Sequence, residues 1–132
     1  MIKVIVVKKI VNCRLVIECI NEEGKSKSVI EGKGYYNEIN DLKIVYFTND
    51  NNKYKYEYTE NKVTIHFNDS CYNFKLNEKG EGQIKNGEFI LKLTTFASKI
   101  EIDDNCLNVN YILHQGNIKL GDYKTSLFLQ AA

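Results

Sequence analysis

The residues of this sequence that are best suited to chemistry are its tyrosines, of which there are nine. Tyr54, Tyr56 and Tyr58 alternate with charged residues, so they share one face of an extended segment. Aromatic rings with a few polar hydroxyls are the usual lining of a small-molecule site. This pattern predicts an aromatic pocket for a small apolar or amphipathic ligand, lined by Tyr54, Tyr56, Tyr58, Phe67, Tyr72 and Tyr111.

The same tyrosines have a second interpretation, in which they fill a core and their hydroxyls reach backbone groups or water. The size of the surrounding structure decides between the two. A barrel of about eight strands just fills its interior or holds one small ligand, and more strands open a lumen. The sequence leaves both alternatives open.

Catalytic and metal-binding patterns are not found in the sequence. His66 and His114 lie out of phase with the apolar residues of their segments, so both are expected to face outward and not to converge on a metal. No G-x-S-x-G elbow marks a nucleophile, and no G-x-x-x-x-G-K-[ST] loop marks a phosphate site. We therefore expect no catalytic residue, no metal and no cofactor, and an enzyme is the least favoured function.

The cysteines and the N-terminal segment indicate the compartment. Cys13, Cys19, Cys71 and Cys106 form no C-x-x-C pair, and they are expected to be buried free thiols. Residues 1–11 lack the pattern of a signal peptide, and no run approaches the roughly 20 apolar residues of a membrane helix. These features predict a cytoplasmic protein with no membrane partner.

The elements that must position these residues are strands, because apolar and polar residues alternate with a period of two almost throughout. Asn86-Gly87 is the strongest hairpin signal, since both residues tolerate positive φ. The Gly-rich segment 78–87 is not assigned to a strand. The predicted strands are 2–9, 13–20, 26–36, 42–48, 53–59, 62–67, 71–77, 88–96, 98–103, 106–114 and 117–129.

Short turns between so many strands favour antiparallel pairing of sequence neighbours. A flat sheet of this width would expose two edges, so it should close. The sequence therefore predicts an all-β protein, with residues 1–132 forming a single antiparallel meander β-barrel of about 8–10 strands. A two-sheet sandwich is the alternative.

The order of several short motifs resembles the bacterial family known as domain of unknown function 1934. The resemblance implies a calycin-like β-barrel, and it implies no catalytic residue because the family has no assigned activity. The motifs that carry it are Gly32-Lys33-Gly34-Tyr35-Tyr36, Ile44-Val45-Tyr46-Phe47, the segment Tyr54 to Phe67, Gly87-Glu88-Phe89, Leu93-Thr94-Thr95, Ile100-Glu101-Ile102, the segment Leu107 to Leu113, Gly121-Asp122-Tyr123 and Leu127-Phe128-Leu129.

Three kinds of partner follow from these patterns. The first is the small ligand of the tyrosine-lined interior. The second is another copy of the chain, which would form a homodimer through outward apolar residues such as Ile90 and Ile112. Nucleic acid ranks third and is disfavoured, because the net charge is only +1, Arg14 is the sole arginine and the aromatic residues are expected to face inward.

Overall fold

The computed structural model describes residues 6–132 of the chain, and the side chains from Lys8 onward. All of its regular elements are strands. They are β1 (Val6–Asn21), β2 (Gly24–Ile39), β3 (Leu42–Asn49), β4 (Asn52–Tyr58), β5 (Lys62–Phe67), β6 (Ser70–Lys75), β7 (Lys79–Asn86), β8 (Phe89–Asp103), β9 (Cys106–Gln115) and β10 (Ile118–Ala131).

These ten strands form a closed antiparallel meander barrel in the order β1-β10-β9-β8-β7-β6-β5-β4-β3-β2. Each strand pairs with its sequence neighbours, and β1 also pairs with β10 from Val11↔Ala131 to Ile20↔Asp122. Among residues 6–132, closure gives each of the ten strands a neighbour on both sides, with the β1–β10 register beginning at Val11. The predicted barrel is thus confirmed, and the sandwich alternative is not found.

Tight turns join the strands at two rims. Several turns hold a residue with positive φ, among them Asn40, Asp50, Asn68, Gly87 and Gly116. We call the rim that carries the β2–β3, β4–β5 and β8–β9 turns the mouth rim, and the other the opposite rim. Because the number of strands is even, the first described residue, Val6, and the end of β10 both lie at the mouth rim.

Besides shifts of a few residues at several strand ends, the structure differs from the predicted strands in three places. Predicted strands 2–9 and 13–20 are parts of the single strand β1, although residues 2–5 lie outside the described part of the chain. Predicted strands 88–96 and 98–103 are likewise one strand, β8, in which the register shifts between Ala97 and Lys99. The extra residue of this bulge interrupts the alternation and imitates a strand end.

The third difference is β7, which occupies most of the unassigned segment 78–87. Gly80 and Gly82 weaken the strand signal, yet the barrel needs them. A Cβ on Gly80 would overlap the carbonyl oxygen of Asn73, and a Cβ on Gly82 would lie 3.1 Å from the Tyr72 ring. Glycine here marks a close approach of backbone to its neighbour.

The β6–β7 contact is the weakest seam of the barrel, with only Cys71↔Gln83 and Tyr72↔Gly82 in register. Side chains complete the seam. The buried Thr95 hydroxyl on β8 reaches past Gly80 and donates to the Asn73 carbonyl of β6 at 2.5 Å. The Lys85 amide of β7 donates to the Ser70 hydroxyl of β6 at 3.0 Å.

Replacing Thr95 by valine should open this seam. Thr95→Val leaves the Asn73 carbonyl without that donor, which costs about 1–2 kcal/mol, and faster hydrogen exchange should appear in β6 and β7. Thr125→Val is the matched control, because buried Thr125 donates to the Val109 carbonyl within a regular ladder that runs from Gly121↔Leu113 to Phe128↔Cys106. Equal exchange in β6 and β7 of the two variants would contradict a role for Thr95 in the seam.

Gly34 should tolerate no side chain at all. A Cβ there would overlap the carbonyl oxygen of Tyr46 on β3 and crowd the Cα of Phe47. We expect Gly34→Ala to lower the free energy of unfolding by about 3 kcal/mol or more, measured by chemical denaturation. In Gly116→Ala the new methyl meets open space, so only the backbone strain of φ 59° remains, at about 1–2 kcal/mol. Similar losses of unfolding free energy in the two variants would show that the backbone around Gly34 moves enough to remove the overlap with Tyr46.

Candidate functional site

The predicted aromatic residues lie inside the barrel, as the alternation implied. Tyr54, Tyr56 and Tyr58 are buried on the inner face of β4, with 7%, 3% and 4% of their surface exposed. The predicted outward direction of His66 is also found. His66 lies on the outer wall, where its Nε2 is 3.0 Å from Oε1 of Glu57.

Most of these rings pack against other rings. Phe47, Tyr54 and Phe67 form one series, with centroid separations of 4.7 and 5.0 Å. A second series runs through Tyr72, Phe74, Tyr111 and Tyr123, with separations of 6.5, 4.5 and 5.1 Å. In this structure side chains therefore occupy the space around these tyrosines.

Two members of the predicted set reach a cleft at the opposite rim. Phe67 and Tyr72 line this cleft of about 510 Å³ together with Ile84, Lys85 and residues of the adjoining turns. The predicted residues are thus divided between a packed interior and this rim. Ligand binding by them stays a prediction.

The mouth rim holds a larger cleft, of about 850 Å³, that the sequence analysis missed. It lies between the β2–β3 side of the rim and the β8–β9 turn. Its lining combines apolar side chains such as Val11, Ile102 and Leu129 with charged side chains and the Tyr36 hydroxyl. The lining residues are Lys9, Ile10, Val11, Tyr36, Glu38, Lys43, Ile102, Asp103, Asp104, Asn105, Cys106, Leu129 and Ala131.

Strand register brings three polar side chains of this cleft together. Tyr36 and Glu38 are two residues apart on β2, so both face the interior, and Glu38 pairs directly with Lys43 of β3. The Tyr36 hydroxyl donates to Oε2 of Glu38 at 2.9 Å, and Lys43 Nζ lies 3.9 Å from Oε1. We call Tyr36, Glu38 and Lys43 the mouth triad.

The triad is half-buried, with 35% of the Glu38 side chain and 29% of the Lys43 side chain exposed. Tyr58 of β4, which pairs directly with Lys43, is buried beside the triad. Burial, reinforced by the hydrogen bond to Glu38 and by its charge, raises the pKa of Tyr36 to about 12. The phenol is therefore a neutral hydrogen-bond donor over the physiological range.

A signal for the triad was present in the sequence. The apolar and glycine positions Ile30, Gly32 and Gly34 continue with a period of two into Tyr36 and Glu38. Charged residues beside the turn at Asn40 are normally solvated, however, and only the barrel register shows that Glu38 and Lys43 face inward.

The predicted surface residues and the cysteines differ in how far they are buried. Ile90 is 49% exposed beside Phe89 at 62%, whereas Ile112 is half-buried. All four cysteines are unpaired, but only Cys13 is fully buried. Across residues 6–132, no three His, Cys, Asp or Glu side chains gather in a way that could hold a metal ion. The same residues include no helix long and apolar enough to cross a membrane.

Because several phenols are buried, the barrel is expected to lose stability at alkaline pH. Burial raises the pKa of Tyr56, Tyr58 and Tyr111 above the usual 10.0, and that of Tyr36 to about 12. The unfolded chain therefore loses these protons first as the pH rises. Stability should be fully present below pH 10 and should fall as the pH rises from 10 towards 12.

Denaturant titrations between pH 8 and 12, with tyrosinate absorbance recorded in parallel, test this dependence. Tyr36→Phe removes one of the titrating groups, so its stability should fall less steeply over this range than that of the wild type. Identical slopes for the two proteins would mean that Tyr36 ionises equally in the folded and unfolded states.

Comparison with known proteins supports the fold. No family model matches the sequence, and no curated protein matches it. Among solved structures, the crystal structure of the ywiB protein from Bacillus subtilis is similar, with a TM-score of 0.82 and 11% sequence identity. The match covers 95% of this chain and 93% of that chain. At this identity the likeness shows a shared fold.

Proposed function

We propose that this barrel is a binding protein that holds a small amphipathic molecule in the mouth cleft. The mouth triad would take the polar head of the ligand. Val11, Ile102 and Leu129 would contact its apolar part, which points towards the tyrosine-rich interior. The proposal keeps the predicted ligand class and moves its point of recognition to the rim.

The observation that carries this proposal is the inward direction of the mouth triad. Charged side chains facing into a barrel lose hydration, and that loss is compensated only where hydrogen bonds are made. Glu38 accepts a hydrogen bond from the Tyr36 hydroxyl and forms an ion pair with Lys43 at 3.9 Å, while the three still border a cleft. A cleft of about 850 Å³ lies within the range of about 300–1,000 Å³ of small-molecule sites.

The sequence also supports proposals about the family and the cellular compartment of this protein. We propose membership of the domain of unknown function 1934 family, with a calycin-like barrel, from the order of motifs from Gly32 to Leu129. We propose a cytoplasmic location, which the four unpaired cysteines support.

A homodimer formed through the exposed apolar pair Phe89 and Ile90 is the alternative function.

Native mass spectrometry of the protein as purified from cells tests the proposal. We expect an added mass that disappears on denaturation. The double variant Glu38→Gln/Lys43→Met should reduce the occupied fraction about tenfold or more, because hydrogen bonds to charged groups contribute roughly 1.5–3 kcal/mol.

The matched control is Lys99→Met/Glu101→Gln, which removes an exposed ion pair of 3.3 Å from the outer wall. It should keep the wild-type occupancy. An added mass that survives the mouth variant would place the ligand elsewhere. A dimer without added mass, broken by Phe89→Ser/Ile90→Ser, would favour the homodimer.

A further inference from the structure

The outer wall of the barrel carries aromatic residues that the sequence analysis expected to face inward. Tyr35 of β2 and Tyr46 of β3 are directly paired and face outward, with ring centroids 5.3 Å apart and planes inclined by 28°. Lys8 Nζ lies 5.0 Å from the centroid of the Tyr35 ring. Both rings are half-buried, so each keeps an accessible part on the barrel surface.

The wall around this pair is basic. Three outward glutamates border it: Glu31 lies 3.9 Å from Arg14, Glu57 lies 3.5 Å from Lys55 and also contacts His66, and Glu18 of β1 is directly opposite Lys27. The lysines outnumber them. The outward lysines of β2–β6 are Lys25, Lys27, Lys33, Lys53, Lys55, Lys62 and Lys75.

Two of these lysines oppose each other directly, since Lys62 of β5 pairs with Lys75 of β6. Like charges opposite each other in a sheet are destabilising. An anionic partner on this wall would offset the repulsion. The repulsion between these lysines therefore destabilises the free chain, and a bound polyanion would reduce it.

A groove of about 750 Å³ continues the wall past β1. Phe128, 43% exposed, lines it together with Arg14 and Lys33. Lys33 and Tyr35 are two residues apart on β2 and share its outer face, so the groove leads to the stacked tyrosines. Phe128 of β10, Arg14 of β1, Lys33 of β2 and the half-buried ring of Tyr46 of β3 thus lie on the outer side of four neighbouring strands, with Glu31 directly opposite Arg14.

We propose that this wall binds single-stranded nucleic acid. Arg14, Lys33 and Lys55 would contact phosphates, while Phe128 and Tyr46 would offer surfaces on which bases stack. Proteins that bind single strands without sequence preference combine a basic track with stacking rings in this way. The surface is separate from the mouth cleft, and the proposal does not depend on the ligand proposed there.

Fluorescence anisotropy with labelled 12-nucleotide oligouridine and oligothymidine, between 25 and 200 mM salt, tests the proposal. We expect binding whose logarithm falls linearly with the logarithm of salt concentration, with a slope of about −0.7 per phosphate contacted. Lys33→Gln/Lys55→Gln should make that slope less negative by about 1.4, because two phosphate contacts are lost.

Phe128→Ser should weaken binding about tenfold at every salt concentration without changing the slope, since stacking on one ring is worth roughly 1–3 kcal/mol. Tyr46→Leu should act in the same direction. Phe128 is exposed, so its variant remains informative if Tyr46→Leu does not fold, which circular dichroism would show.

The matched control is Lys85→Gln/Lys92→Gln, which removes the same charge from β7 and β8 on another side of the barrel. It should bind as the wild type does. Three results would overturn the proposal: no binding at 25 mM salt, an equal loss in this control, or binding to heparin or anionic vesicles as tight as to the oligonucleotides and unaffected by Phe128→Ser. The last result would indicate a general polyanion surface.

Discussion

Hydrogen bonding around a closed ring of strands is the constraint on which the rest of this structure depends. Each strand finds partners on both sides only because β1 joins β10. Closure fixes the register of every strand, and the register decides which side chains face inward. The aromatic packing, the mouth triad and the basic outer wall are all consequences of that register.

The ring is least regular between β6 and β7, where two register pairs and two side-chain hydrogen bonds complete it. Gly80 allows Thr95 to reach across to β6. The hydrogen bond from the Thr95 side chain to the Asn73 carbonyl replaces backbone hydrogen bonds that are missing between β6 and β7. Backbone hydrogen bonds close most of the barrel, whereas side-chain hydrogen bonds help to close it between β6 and β7. Local opening is therefore expected to begin between β6 and β7.

Much of this fold could be predicted from residue alternation and turn residues. The inner face of β4, with Tyr54, Tyr56 and Tyr58, follows from the period of two alone. The bulge near Ala97 and the glycines of β7 could not be predicted, because a bulge breaks the period and glycine removes the signal. The mouth triad was missed for a different reason: Glu38 and Lys43 beside a turn have the sequence pattern of solvated residues, and only pairing with distant strands turns them inward.

The even number of strands has a practical consequence for how this protein is handled. Val6 and Ala131 both lie at the mouth rim, and Ala131 itself borders the cleft. A purification tag, fluorophore or surface tether attached after Ala132 would emerge beside the proposed binding site and would obstruct it. The Asn86–Gly87 turn lies at the opposite rim, so a label placed there would leave the mouth free.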